Sequence, residues 1–160
     1  MTPGETLEQA CRRLGLTLPP PPKPVGTYQP VILAGGFAFL SGQISKDAEG
    51  GLITGKVGSE LTLEEGKRAA QWAALQAVSV IQGEIGFGNL ERIVRIAGFV
   101  QSAPDFFGQS EVMNAASRLL VELFGEKGRH ARTSVGVASL PLNAAVELEL
   151  TVKVLSNVKA

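Results

Sequence analysis

A chain of 160 residues suits one domain with a substantial core, and 44% apolar against 19% charged residues is an ordinary globular balance without a disorder signature. Lys plus Arg and Asp plus Glu both total 15, so the formal net charge is zero, which counts against nucleic acid as the main partner, because such affinity rests largely on neutralised phosphates. The single cysteine, Cys11, cannot make an internal disulfide; residues 1–5 open no basic-then-apolar leader and no apolar run nears the ~20 residues that span a bilayer, so the expectation is a cytoplasmic protein.

Leu7, Ala10, Cys11 and Leu14 fall at i, i+3, i+4 and i+7, which predicts a short helix over 7–16 with Gly15 as its stop. Residues 19–24 hold Pro19 to Pro22 and Pro24. Such a run favours an extended polyproline spacer, with an SH3-type ligand as the alternative. The expected division is therefore 1–24, an N-terminal helix and proline-rich spacer, and 25–156, a single domain. Two apolar runs, 31–33 and 37–40, flank Gly35-Gly36, a pair able to take the positive φ values of a tight hairpin. Residues 46–58 are polar and glycine-rich and read as a loop, with a short strand near Leu52-Ile53.

Thr62 and Glu65 have capping-box spacing, and the apolar face from Ala69 to Ile81 predicts a long helix that stops near Gly83 or Gly86. Residues 90–100 form a β-rich run. Pro104-Asp105 marks a break, with Asp105 expected as a helix N-cap. A second helix covers 109–124, with Gly125 just past its end. A short strand over 133–138 and a strictly alternating one over 144–155 finish the chain. The order is that of an α+β fold with two helices packed on one face of one sheet.

Several chemistries have no carrier. There is no Walker loop and no dinucleotide fingerprint, and His130 is the only histidine, which removes multi-histidine metal sites. A lone loop histidine reads first as a surface residue and second as a general base. The informative stretch is 130–138. Period-two alternation puts Arg132, Ser134 and Gly136 on one face, where the two small residues leave room beside a guanidinium. If the turn at 140–143 makes a hairpin, Glu147 or Glu149 lies across from Arg132. Two uses remain open: a cross-strand ion pair, which pattern alone favours, or a fork for a ligand carboxylate with the glutamate activating water.

Val25-Gly26-Thr27-Tyr28-Gln29-Pro30, Phe39-Leu40-Ser41-Gly42-Gln43, Val112-Met113-Asn114, Ala131-Arg132-Thr133-Ser134 and Val146-Glu147-Leu148-Glu149 resemble, in that order, the landmarks of the RidA/YjgF/L-PSP family. The resemblance implies a chorismate-mutase-like subunit with a mixed sheet, a homotrimer, and sites in clefts between subunits. It implies hydrolysis of 2-imino or enamine acids to 2-keto acids and ammonia, without metal or organic cofactor. Its alternatives are a non-catalytic trimer that binds small carboxylates and, with less support, an L-PSP-type endoribonuclease or translation inhibitor. Carried over by motif, Arg132 holds the substrate carboxylate and Glu147 activates water. The Ser134 backbone fixes the reacting end, while Tyr28, Ser41 and Asn114 match other cleft positions. Three positions depart from the family pattern. Ser134 stands where the deaminases commonly have cysteine, Gly136 where an acidic residue is common, and Thr27 where a proline precedes the tyrosine. With its extra N-terminal segment, the chain resembles a longer-chain branch.

Overall fold

The computed structural model describes residues 5–22, 26–156 and 158. Helix α1 runs Leu7–Arg13. Thr6 caps it: its Oγ1 accepts from the Gln9 N–H at 3.2 Å and its own N–H donates to Gln9 Oε1 at 2.8 Å. Gly15 at φ +67° turns the chain out. The helix ends before the expected residue 16, but Leu7, Ala10 and Cys11 are buried as the stripe requires. These residues belong to the same apolar core as the sheet, and Leu14, Leu16 and Leu18 pack against it. The proline segment lies across a later helix. The Pro19 carbonyl accepts from Ser79 Oγ at 2.5 Å, and a Cβ on Gly83 would come within 3.1 Å of Pro21. An extended backbone keeps its carbonyls free, so the segment can act as a strap. Pro24 and Val25 lie outside the described residues.

Strands β1 (Val31–Ala34) and β2 (Phe37–Leu40) form the expected hairpin. Gly35 and Gly36 take φ +59° and +80°, the pair of left-handed residues that a type I′ turn needs. Strand β3, Gln43–Ile44, follows. The strand expected at Leu52-Ile53 is only an isolated bridge, Lys46 to Leu52. Helix α2 runs Leu63–Val80 behind a complete Thr62–Glu65 capping box. Its contact face is built from alanines 69, 70, 73, 74 and 77, all buried; small side chains let it lie close to its neighbours. A π-helical turn, Ile81–Ile85, prolongs it to Gly86 at φ +77°, the second of the two expected stops.

Strand β4, Leu90–Gln101, leads into α3, Gln109–Phe124, whose bounds are those expected. Its cap is not. Asp105 lies in a turn, and the N-cap is Gly108 with no side-chain bond. Residues 106–108 are needed first to seat the Phe106 ring, which lies so close to Gly58 and Gly108 that a Cβ on either would approach it within 2.8 Å.

The last strands are β5, Ala131–Val137, and β6, Val146–Val154. They are not neighbours. The sheet order is β1-β2-β6-β4-β5, with β3 beside β6. Strand β4 pairs β6 antiparallel and β5 parallel, so the sheet is mixed, and α3 supplies the crossover that a parallel pair requires. The expected 140–143 hairpin is replaced by a connection around the end of β4. Gln101 holds it there: its Oε1 accepts from the Leu140 N–H at 2.7 Å and its Nε2 donates to Asn143 Oδ1 at 2.5 Å. Val146, Leu148, Leu150, Val152 and Val154 are buried beneath the two long helices, and the other sheet face carries exposed Ile32, Phe39 and Val135. Among the described residues, no helix is long and apolar enough to cross a membrane.

Candidate functional site

Strand register decides which way Arg132 points. Its partner is Ile96, whose partner across β4 is Leu150, and both are buried. Arg132 therefore projects on the helix-covered face, at the edge strand of the sheet. There it meets α3, where Ser110, Asn114 and Ser117 fall at i, i+4 and i+7 and form a polar stripe. Arg132 Nη1 donates to Ser117 Oγ at 2.9 Å. Nη2 donates to Ser110 O at 3.2 Å, Ser110 Oγ at 2.9 Å and Asn114 Oδ1 at 2.9 Å. Every acceptor is neutral. Among the described residues no carboxylate forms an ion pair with this guanidinium, so the ion pair favoured by pattern is absent. Partial burial lowers its pKa, yet a guanidinium stays charged at any physiological pH. The result is an oriented, partly desolvated cation whose charge is not cancelled.

His130 belongs to the same network. Its Nδ1 lies 2.6 Å from the Gly128 carbonyl, which can only accept, so Nδ1 carries the proton. Nε2 is then free to accept from Ser117 Oγ at 3.0 Å. Ser117 thus accepts from Arg132 and donates to His130. Burial, opposed by the Gly128 carbonyl and reinforced by the Arg132 charge, pushes the imidazole pKa down. The surface reading of His130 is corrected: the ring is partly buried and wired to Arg132. Ser110 and Ser117 were legible only as the spacing of a polar stripe, and His130 only as a neighbour of Arg132 along the strand.

Ser134 and Gly136 share the helix-facing side with Arg132, as alternation predicts. Ser134 Oγ is enclosed and has no hydrogen-bond partner. A buried hydroxyl left so costs about 1–3 kcal/mol.

The remaining predicted residues gather elsewhere. Glu147 pairs with Ile44 and with Phe99, in the row of Val135, and lies on the open face. It is separated from Arg132 by β4, so the expected juxtaposition of Arg132 and Glu147 within one chain does not occur. The Glu147 carboxyl group sits directly over Gly42, where a Cβ would overlap Oε1. Burial, followed by the nearby Glu149, raises its pKa. Next in chain to Gly42, Ser41 Oγ donates to the Gln29 carbonyl at 2.6 Å and its N–H to Pro30 at 3.0 Å. Tyr28, 48% exposed, stands just before that tie. The chain thus carries two groups: Arg132, Asn114 and Ser134 under α3, and Tyr28, Ser41 and Glu147 around Gly42. Among the described residues no group of three or more His, Cys, Asp or Glu converges as a metal site.

A family described as "YjgF/chorismate_mutase-like, putative endoribonuclease" matches residues 8–154. "Protein TCP17" of Trypanosoma cruzi is 44% identical over 144 residues, 89% of this chain and 90% of its own length. A "2-iminobutanoate/2-iminopropanoate deaminase" of Dermatophagoides farinae is 29% identical over 135 residues, 84% of this chain and 91% of its own. Among solved structures, the protein Atu1372 of Agrobacterium tumefaciens superposes with a TM-score of 0.85 at 35% identity, covering 92% of this chain and 93% of that one.

Proposed function

The chain belongs to the YjgF/chorismate-mutase-like family, and from that premise we propose that it is a RidA-type deaminase, hydrolysing reactive 2-imino or enamine acids to 2-keto acids and ammonia in clefts between subunits of a homotrimer. The observation that carries this reading is the Arg132 guanidinium, held by neutral acceptors and, among the described residues, paired to no carboxylate. A charge-assisted fork of this kind suits a small carboxylate.

The chemistry asks little beyond placement, because a protonated imine is already electrophilic. Arg132 holds the carboxylate, and Ser134 and Asn114 lie beside the bound acid. Water adds to the imine carbon as the C=N electron pair moves to nitrogen, giving a carbinolamine. A proton passes from its hydroxyl to nitrogen, the C–N bond breaks, and ammonia leaves as the C=O forms. Glu147, with a raised pKa, is suited to take the proton from water and return it to nitrogen. One chain keeps Glu147 apart from Arg132, so a second copy supplies it. The exposed Ile32, Phe39 and Val135 on the open sheet face provide an apolar surface for that contact. Tyr28 and Ser41 come to the cleft with Glu147. The reaction as written needs no cofactor, and the buried thiol of Cys11 suits a cytoplasmic setting.

A second reading, a non-catalytic trimer that binds small carboxylates, draws on one observation. Gly136 brings no acid to the helix-facing side, and a Cβ there would meet the neutral Gln109 amide at 2.7 Å. The ribonuclease reading has less support, since the one histidine is committed to Gly128 and Ser117. The decisive assay is keto-acid release from 2-iminobutanoate generated in situ. Release faster than spontaneous hydrolysis, lost in Arg132→Ala, is the expected result. Binding of 2-oxobutanoate without turnover selects the second reading.

A further inference from the structure

Behind Arg132 stands a relay of hydrogen bonds. Gly128 is seated so closely on α3 that a Cβ there would overlap the Leu120 carbonyl oxygen. Its own carbonyl therefore has a set place, and it accepts from His130 Nδ1 at 2.6 Å. That bond holds the imidazole with Nε2 turned to Ser117 Oγ at 3.0 Å, and Ser117 Oγ accepts from Arg132 Nη1 at 2.9 Å. One hydroxyl thus spans the imidazole and the guanidinium, whose facing nitrogens lie no more than about 6 Å apart. With Nε2 bare, Ser117 donates to it and keeps a lone pair aimed at Arg132. With Nε2 protonated, Ser117 accepts from both sides and turns its hydrogen to a carbonyl of the preceding helical turn. Both states fit the geometry. They differ by one positive charge facing Arg132.

The surroundings of the ring do not compensate that charge. His130 lines an open cavity of about 420 Å³ together with Arg92, Val94, Arg129 and Ala131, so solvent protons reach it without passing Arg132. Arg129 is paired with Glu126 at 2.8 Å, and Arg92 donates to the Arg129 carbonyl at 3.3 Å. Lys127, in the turn before the ring, donates to the Leu90 carbonyl at 3.3 Å. From α3 the ring meets the neutral Ser117, and from its own strand Arg132. Among the described residues no carboxylate pairs with the imidazole. Burial lowers its pKa, the Gly128 bond opposes this, and the Arg132 charge lowers it further. A carboxylate held at Arg132 cancels that last effect. We infer that His130 is a positioning residue for Arg132, acting through Ser117, and that an acid anchored at Arg132 draws a proton onto His130 Nε2. This inference rests on the reading of Arg132 as a carboxylate anchor. Acid and proton favour one another reciprocally. Affinity is therefore highest below the His130 midpoint of the empty site and falls as pH rises through that of the filled one.

Titration of the full chain with 2-oxobutanoate tests it. Glu147 also has a raised pKa, so the calorimetric series is run in Glu147→Gln to keep that group silent. Binding is expected to be about three- to tenfold tighter at about pH 5 than at about pH 8. Two buffers of different ionisation enthalpy are expected to show net proton uptake with the acid. The single imidazole, followed by NMR, is expected to move its midpoint up when the acid saturates the site, and not in Arg132→Ala. His130→Gln keeps a neutral acceptor within reach of Ser117, and His130→Asn keeps a donor for Gly128. In either variant binding persists and its pH dependence flattens; where one fails to fold, the other serves. A ring that merely fills space gives none of these shifts. Arg132-dependent binding with an unmoved His130 midpoint, or a pH dependence that survives substitution of His130, overturns the relay and leaves the anchor standing. Absence of binding at every pH overturns the anchor reading itself, and this inference with it.

Discussion

Arg132 and Glu147 stand on opposite faces of the sheet with β4 between them: Arg132 shares the buried row of Ile96 and Leu150, and Glu147 the open row of Phe99. Two strand spacings across the sheet, and the three residues along β6 from Leu150 to Glu147, put their backbones roughly 14 Å apart before the difference in face is counted. No rotamer brings the two side chains to one small substrate. A site that uses both must draw them from different copies.

Mixed assembly reads this directly. Arg132→Ala and Glu147→Gln chains, each inactive alone, are refolded together in equal amounts. In a closed ring where each cleft takes its arginine from one copy and its glutamate from the next, about a quarter of clefts regain both groups. Deaminase activity near that fraction of wild type is expected. A mixture as inactive as its parents would place both groups of each cleft on one chain and contradict the register argument.

The turn, helix and strand chemistry was legible from sequence because it is local. Gly35-Gly36 can close a hairpin by backbone conformation alone, and Thr62 with Glu65 completes a cap within one turn. Alternation placed Arg132 and Ser134 on a common face, because the pleat needs no partner to be known. Alternation does not say which strand lies next door, and the 140–143 turn read as a hairpin when its true anchor is Gln101, about 40 residues away. For the same reason two of the arginine's three side-chain partners, Ser110 and Ser117, stayed hidden: they depend on how α3 crosses β5. Asp105 failed as a cap because a nearby packing demand, the seat of Phe106, delays the helix.

His130 gives a second prediction. Its ring is partly buried and close to the Arg132 cation, and both effects lower its pKa below the ordinary histidine value. Because the chain has one histidine, its imidazole titration is resolved by NMR without assignment. The midpoint is expected below that of a free histidine. In Arg132→Ala it moves up, since one of the two lowering effects is gone. The folded pKa is the lower one, so the unfolded chain binds more protons in the window just below the ordinary value. Stability therefore rises with pH through that window and is lost as pH falls. A midpoint unmoved by Arg132→Ala would separate the two side chains electrostatically.

Glu147 carries the opposite sign. Its folded pKa is raised, by burial first and Glu149 second. Between the ordinary carboxylate value and the raised one, the folded chain binds more protons than the unfolded chain, so stability falls as pH rises across that interval. Glu147→Gln removes the penalty. The variant is expected to melt higher than wild type at pH 7, with the difference closing as pH approaches about 4. Denaturation curves between these limits measure it. A variant less stable than wild type at pH 7 would mean that the carboxylate is stabilised in its charged form.

Ser117 tests whether the arginine is positioned or merely present. Its hydroxyl accepts from Arg132 Nη1 and donates to His130 Nε2, so Ser117→Ala removes two hydrogen bonds and leaves a partly buried imidazole nitrogen unpaired. The expected loss of stability is about 1–2 kcal/mol. Arg132 keeps Ser110 and Asn114 through Nη2, so it stays at α3 but can swing about that end. Acid binding should weaken by roughly three- to tenfold, well short of the loss in Arg132→Ala. Ser117→Thr keeps the hydroxyl and should recover most of the affinity. The informative readout is that recovery together with the His130 titration. If Ser117→Ala lowers stability yet leaves both acid affinity and the His130 midpoint at wild-type values, the hydroxyl only fills space between α3 and β5.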